Sequence, residues 1–249
     1  MSDDKILKWL SEEYVVEETS IEQQKKSYEK RIVGWLDILG IRSMIKNDKE
    51  YDAEAIINIM ASLSSYVSST CDKYCAENKL FYHQISDGII IAADVSLASE
   101  VCAIMAEVQW KILVNLNLLS RGALTVGNVS VENGGSLIIG PAYVDVYVME
   151  SENAIYARTI LSKTFMNETM CNVDFIAEDT DKLMYIDYIA YIMKKQKIDE
   201  KRMKKILIEQ GVSCFLKENY NPNNTERISI AQKYGWTMAL LDRNKISDL

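Results

Sequence analysis

The chain has 249 residues, 48% hydrophobic and 26% charged, with only 2 prolines and 10 glycines. That length holds one large domain, or a domain with an appendage, and the scarcity of chain breakers argues for long elements over a fibrous or disordered chain. A formal net charge of −8 argues against a general binder of nucleic acid or anionic membrane, and no apolar run approaches the ~20 residues that span a bilayer.

Residues 1–29 open on the acidic, amphipathic "MSDDKILKWLSEEY", which lacks the basic start and apolar run of a signal peptide. They continue through the charged "EETSIEQQKKSYEK" and read as a peripheral helix and linker with a solvated face. "RIVGWLDILGIRSM", residues 31–44, begins as a buried strand, short and rich in β-branched and aromatic residues, and ends on a carboxylate, Asp37, just before Gly40. Residues 52–77 carry apolar side chains at helical spacing, with Asp52 as N-cap. In "LFYHQISDGIIIAAD", residues 80–94, two apolar runs flank Ser86-Asp87-Gly88, a hairpin signal. Asp94 caps the next helical stretch, 96–118. "RGALTVGNVSVENGGSLIIG", 121–140, reads as a second hairpin turning at "ENGG", and Pro141 opens a helix where its missing N–H costs nothing.

This order predicts an α/β (α+β) domain with a central, antiparallel-rich sheet flanked by helices, occupying residues 30–164. The tail, 165–249, reads as a mainly helical extension packed on that core, with a helix over 199–211 closed by Gly211. No repeat of about 20–50 residues runs through the chain. The 5 cysteines, Cys71, Cys75, Cys102, Cys171 and Cys214, stand with a single histidine, His83. Cys71 and Cys75 share a helix face, but a zinc site needs further ligands, so reduced thiols in a cytosolic protein are the better reading.

The chemistry rests on two aspartates. If the strand ending at Asp37 neighbours the hairpin holding Asp87, their carboxylates converge at one sheet edge. Hard divalent ions want oxygen ligands, often one or two carboxylates plus substrate phosphates. The turn from Ile38 through Leu39 and Gly40 to Ile41 exposes backbone N–H groups that suit a triphosphate. Taken singly, Asp37 is also readable as a helix cap and Asp87 as a turn residue.

"WLDILGI", "ISDGIII" and "RGALTVG" match, in kind and order, the motifs of class III nucleotidyl cyclases, which the chain resembles from residue 31 to about 160. The resemblance implies a ferredoxin-like palm and a site where Asp37, Ile38 and Asp87 hold two Mg²⁺ or Mn²⁺ ions. It implies attack of a substrate 3′-oxygen on the α-phosphorus with loss of pyrophosphate, in a head-to-tail homodimer with sites at the subunit interface. The chain departs from the purine cyclases at four positions: His83 replaces a base-reading lysine, Leu137 a base-reading aspartate, and Val144 and Val148 an asparagine and an arginine.

A narrower group is similar over most of the chain: the bacterial pyrimidine cyclases of the Pycsar antiphage system. The shared features are "LDILG", "SDG", "RGA", "GPAY…Y…E", "YAR" at 156–158 and the ending "KYGWTMALLDRN" at 233–244. This resemblance implies UTP or CTP as substrate and a cyclic UMP or cyclic CMP messenger read by a separate effector. It places the protein in the bacterial cytoplasm, without nucleic-acid or membrane partners. Around that site, Arg121 is a candidate for phosphate oxygens, or else a strand-edge ion pair. Arg158 is a candidate transition-state cation, or else a surface arginine. His83 either faces the base or fills the sheet. Tyr143 either stacks on the base or joins the core with Tyr147. Arg42 flanks the phosphate turn or is merely solvated. A cyclase fold that binds nucleotide without turnover is one competing reading. A palm-type cyclic oligonucleotide synthase is another, although "ISDG" stands where such enzymes carry "GGDD" or "GGDEF".

Overall fold

The computed structural model describes residues 27–46, 53–75, 77–209 and 225–243. The expected N-terminal helix, the Asp52 cap, Gly211 and Cys214 lie outside them. β1 (Glu29–Ile38) is followed by a single short helix, α1 (Ile41–Lys46), and the long α2 (Ala53–Cys75). The hairpin β2 (Leu80–Ile85) and β3 (Gly88–Ala93) leads into α3 (Ala98–Leu116). β4 (Ser120–Glu132) and the short β5 (Leu137–Ile139) precede α4 (Pro141–Asn153). The order strand, long helix, hairpin, long helix, hairpin, helix is therefore the order found.

Beyond it come β6 (Thr159–Leu161), α5 (Lys163–Thr169), β7 (Ile176–Glu178), β8 (Met184–Ile186), α6 (Tyr188–Gln196), α7 (Glu200–Glu209) and α8 (Thr225–Arg243). The tail thus carries strand as well as helix. β7 and β8 are only three residues each, too short for their period to be read in sequence.

The eight-stranded sheet runs β2-β3-β1-β4-β6-β8-β7, with β5 paired to the far half of β4. All pairs are antiparallel except β4 with β6. β1 and β3 lie at its centre, and every residue of β3 is buried. α2 and α3 cover one face: Gln84 Nε2 donates to the Met60 carbonyl of α2 at 3.2 Å, and α3 buries Val101, Cys102, Met105, Ile112 and Leu113. Gln109 of α3 donates to the Ser120 carbonyl at 3.1 Å and accepts from Thr159 at 2.9 Å, so its buried amide is satisfied while it ties the helix to β4 and β6. α4 covers the other face, where Ala142 meets Gly127.

Two glycine-related details set the hairpin beside β1. Ser86 takes the positive φ of the two-residue turn, 57°, while Gly88 is already in β3. Gly88 is there for space: a Cβ on it would sit 2.3 Å from the Trp35 ring.

Candidate active site

Adjacent strands in register bring the two aspartates together. Asp37 pairs with Gly88 on β3 and with Arg121 on β4, one residue beyond the Ser86-Asp87 turn. The Ile38 N–H donates to the Asp87 carbonyl at 3.2 Å, which fixes the turn against the end of β1. Residues paired across the sheet share a face, so Asp37, Gly88 and Arg121 all point to the α4 side. Trp35, one row earlier on that face, packs edge-to-face on Tyr143 and Tyr147 of α4, with ring centroids 6.2 and 5.6 Å apart.

Two residues without a role in the sequence reading complete the cluster. Glu150 continues the buried stripe Ala142-Val146-Glu150 of α4 and is only 2% exposed. Its Oε1 lies 2.5 Å from Arg121 Nε, an ion pair out of hydrogen-bond alignment. Arg121 also donates to the Ala154 carbonyl at 3.4 Å. Lys233 arrives from α8, and its charge acts on Asp37, Glu150 and Arg121. The glutamate of "GPAY…Y…E" was legible as a carboxylate at the i+4 continuation of an apolar stripe. No spacing rule ties Lys233 to a site almost 200 residues upstream.

The cluster is short of positive charge. Burial, then the charges of Asp87 and Glu150, raise the Asp37 carboxyl to about 7. Burial also raises Glu150, against the pull of Arg121. Burial and the Arg121 guanidinium lower Lys233. A pair of carboxylates in that state is a donor set for a hard divalent cation, which would relieve their repulsion. Among the described residues no group of three or more histidine, cysteine, aspartate or glutamate side chains forms a metal cage. That suits an ion which keeps water and substrate oxygens in its remaining positions.

Several expected residues take other places. Arg158 does not reach the cluster. It is fully buried, ion-paired to Asp179 and Asp181, with its guanidinium 5.3 to 5.7 Å from the rings of Tyr156, Tyr185 and Trp236. A guanidinium so committed cannot meet a phosphate without stranding two carboxylates, so its assignment as a transition-state cation is corrected to a structural one. The phosphate turn is also narrower than expected. The Ile38 and Leu39 N–H groups bond the carbonyls of Asp87 and Leu119, the latter at 2.8 Å, which leaves Gly40, Ile41 and Arg42. Ile38 and Ile41 side chains are buried, whereas Gly40 and Arg42 are exposed, Gly40 at φ 98°. Tyr143 spends a ring edge on Trp35. His83 is exposed on the edge strand β2, on the same face as Asp37 but in the Ile90–Trp35 row.

No protein-family model matches the chain, and no curated protein matches it. Solved structures do. A monomeric guanylyl cyclase domain of the RhoGC fusion protein from the aquatic fungus Blastocladiella emersonii aligns at TM-score 0.50 and 14% identity, over 64% of this chain and 95% of that one. The catalytic core of a rhodopsin-guanylyl cyclase with converted specificity, in complex with ATPalphaS, aligns at 0.50 and 13%, over 65% and 97%. A bacterial light-regulated adenylyl cyclase aligns at 0.50 and 11%, over 66% and 53%. The chain therefore has the fold of class III nucleotidyl cyclase catalytic domains, a central sheet flanked by helices.

Proposed function

We propose that this chain is a divalent-metal-dependent pyrimidine nucleotide cyclase that converts UTP or CTP to the 3′,5′-cyclic mononucleotide and pyrophosphate. The observation that carries this is the pairing of Asp37 and Asp87 at adjacent strand tips of a nucleotidyl cyclase fold, beside a buried arginine–glutamate pair.

In the reaction the 3′-oxygen forms a bond to the α-phosphorus, the bond from that phosphorus to the bridging oxygen breaks, and the hydroxyl proton is lost. Asp37 and Asp87 would hold Mg²⁺ or Mn²⁺, which activates the attacking oxygen and neutralises the leaving phosphates. Arg121, clamped by Glu150 and the Ala154 carbonyl, presents its remaining N–H groups to phosphate oxygens. The N–H groups of Gly40 and Ile41 approach the same substrate region. The pyrimidine preference is supported by sequence elements that meet around this centre. Glu150 pairs with Arg121, Tyr156 stacks on Trp236 at 5.7 Å, and Lys233 faces the aspartates.

Val144, Tyr147 and Val148 form an exposed apolar strip on α4, which supports a homodimer with the sites at its interface. No helix among the described residues is long and apolar enough to cross a membrane. We place the cyclic nucleotide as a messenger in antiphage defence, made in the bacterial cytoplasm and read by a separate effector.

The exposed Val144 and Val148, where purine cyclases carry an asparagine and an arginine, favour a second reading, a binding protein without turnover. One experiment separates them. The purified chain is incubated with each of the four ribonucleoside triphosphates and Mn²⁺ or Mg²⁺ beside Asp37→Ala, and products are identified by mass. A cyclic UMP or cyclic CMP peak absent from the variant supports the cyclase. Tight nucleotide uptake with no product supports the second reading, and a cyclic dinucleotide mass would point to a synthase.

A further inference from the structure

We infer that Lys233, carried into the site by α8, is the chain's own phosphate-binding cation for the triphosphate. This rests on the nucleotide-cyclase reading and deepens it. Three carboxylates, Asp37, Asp87 and Glu150, share the site with only two cations, Arg121 and Lys233. The other arginine of the nearby motifs, Arg158, is committed to Asp179 and Asp181. α4 presents valines outward where a cation would be needed. Arg121 is already engaged by Glu150 and a backbone carbonyl. Among the described residues Lys233 is in no ion pair, although it is half-buried.

Placement on α8 is firm. Trp236 Nε1 donates to Asp179 at 2.8 Å, its ring stacks within 5° of parallel on Tyr156, and Thr237 and Leu240 are fully buried. Lys233 lies one turn before Trp236 and Thr237, on the same inward face of the helix. Its backbone carbonyl accepts from the Thr237 hydroxyl at 3.1 Å, which adds a local tie. The ammonium therefore reaches the cluster from a helix anchored by a buried tryptophan. An unpaired, partly desolvated ammonium costs free energy in the empty protein. A polyanion arriving beside it recovers that cost, and because a lysine is a compact point charge it tolerates the changing phosphate geometry of a transfer.

The assignment predicts two affinity changes of opposite sign, because removing one positive charge weakens anion binding and strengthens cation binding at the same place. Lys233→Met keeps the length of the side chain and removes the charge. Isothermal titration with inorganic pyrophosphate in the presence of Mn²⁺ is expected to show at least about tenfold weaker binding, equivalent to ~1.4 kcal/mol. Titration with Mn²⁺ alone is expected to show tighter binding than wild type. Lys233→Arg should restore most of the pyrophosphate affinity, and the melting temperature of both variants should match wild type.

Unchanged pyrophosphate affinity in Lys233→Met overturns the inference. So does a parallel loss of both affinities with a lowered melting temperature, which marks a packing residue. Wild-type protein that binds Mn²⁺ and pyrophosphate yet makes no cyclic nucleotide refutes the cyclase reading, while the variant's two affinities still decide Lys233. Wild-type protein that binds no pyrophosphate overturns both.

Discussion

At the scale of single residues, the same charge type serves opposite purposes according to what surrounds it. Asp87 sits half-exposed in a two-residue turn, and only its backbone carbonyl is used by the fold, accepting from Ile38. Asp87→Ala should therefore leave the unfolding midpoint near wild type while lowering turnover at least ~10³-fold, because each tenfold corresponds to about 1.4 kcal/mol and metal-assisted charge stabilisation supplies several. Paired thermal melts and rate measurements check this. A collapsed fold would recast Asp87 as a turn residue.

Arg158 is the converse case. Its partner Asp179 is almost wholly buried and also holds the Trp236 indole. Arg158→Met strands that carboxylate, with an expected cost of about 3–5 kcal/mol in urea unfolding. Where the variant stays folded, it should still turn over. Loss of catalysis at unchanged stability would return Arg158 to the catalytic set.

At the scale of elements, the site exists because three of them end at one place. β1 ends on Asp37, the β2–β3 turn holds Asp87, and β4 begins with Ser120 and Arg121. The entry to α3 is secured by Asp94, whose carboxylate accepts from the Ser96 backbone N–H at 2.8 Å and its hydroxyl at 2.6 Å. Those hydrogen bonds lower the Asp94 carboxyl from its ordinary value. A carboxylate lowered in the folded state stabilises above its unfolded value and loses that contribution as pH falls through the folded one. Asp94→Ala should cost about 1 kcal/mol at neutral pH. The gap from wild type should narrow as the pH drops below about 5, toward and past the ordinary aspartate value near 3.9. Urea midpoints measured across that range test it, and a gap constant with pH would assign the loss to something other than the charged cap.

At the scale of the whole molecule, one sheet face is sealed by α2 and α3, while α4 closes the other and turns an apolar side outward. Val144, Tyr147 and Val148 at i, i+3 and i+4 are 58%, 50% and 40% exposed. Leu137 and Ile139 of β5 are exposed as well. A contiguous apolar strip of that kind is costly in water and pairs readily with a second copy. Val148→Asp should shift sedimentation toward monomer, by burying a charge in the interface, and lower activity per chain in the same titration. Monomeric wild-type protein with full activity would refute the interfacial site.

Sequence alone determined the elements whose signals are local. β1, α2, the hairpin around Ser86 and Asp87, α3 and the helix opened by Pro141 follow from side-chain periodicity and turn chemistry, which act over a few residues. It also singled out Asp37 and Asp87, because a carboxylate at the end of an apolar strand is conspicuous against its neighbours. Only tertiary structure decided the roles of the remaining charges. Arg158 and Arg121 look alike in sequence, yet one is stacked and paired in the interior while the other reaches the aspartates. Glu150 and Lys233 acquire their meaning from helices docked on the α4 side. β7 and β8 become strands because a sheet edge offers partners for their backbone groups. Burial and long-range proximity depend on how distant segments pack, and no short window of sequence encodes that.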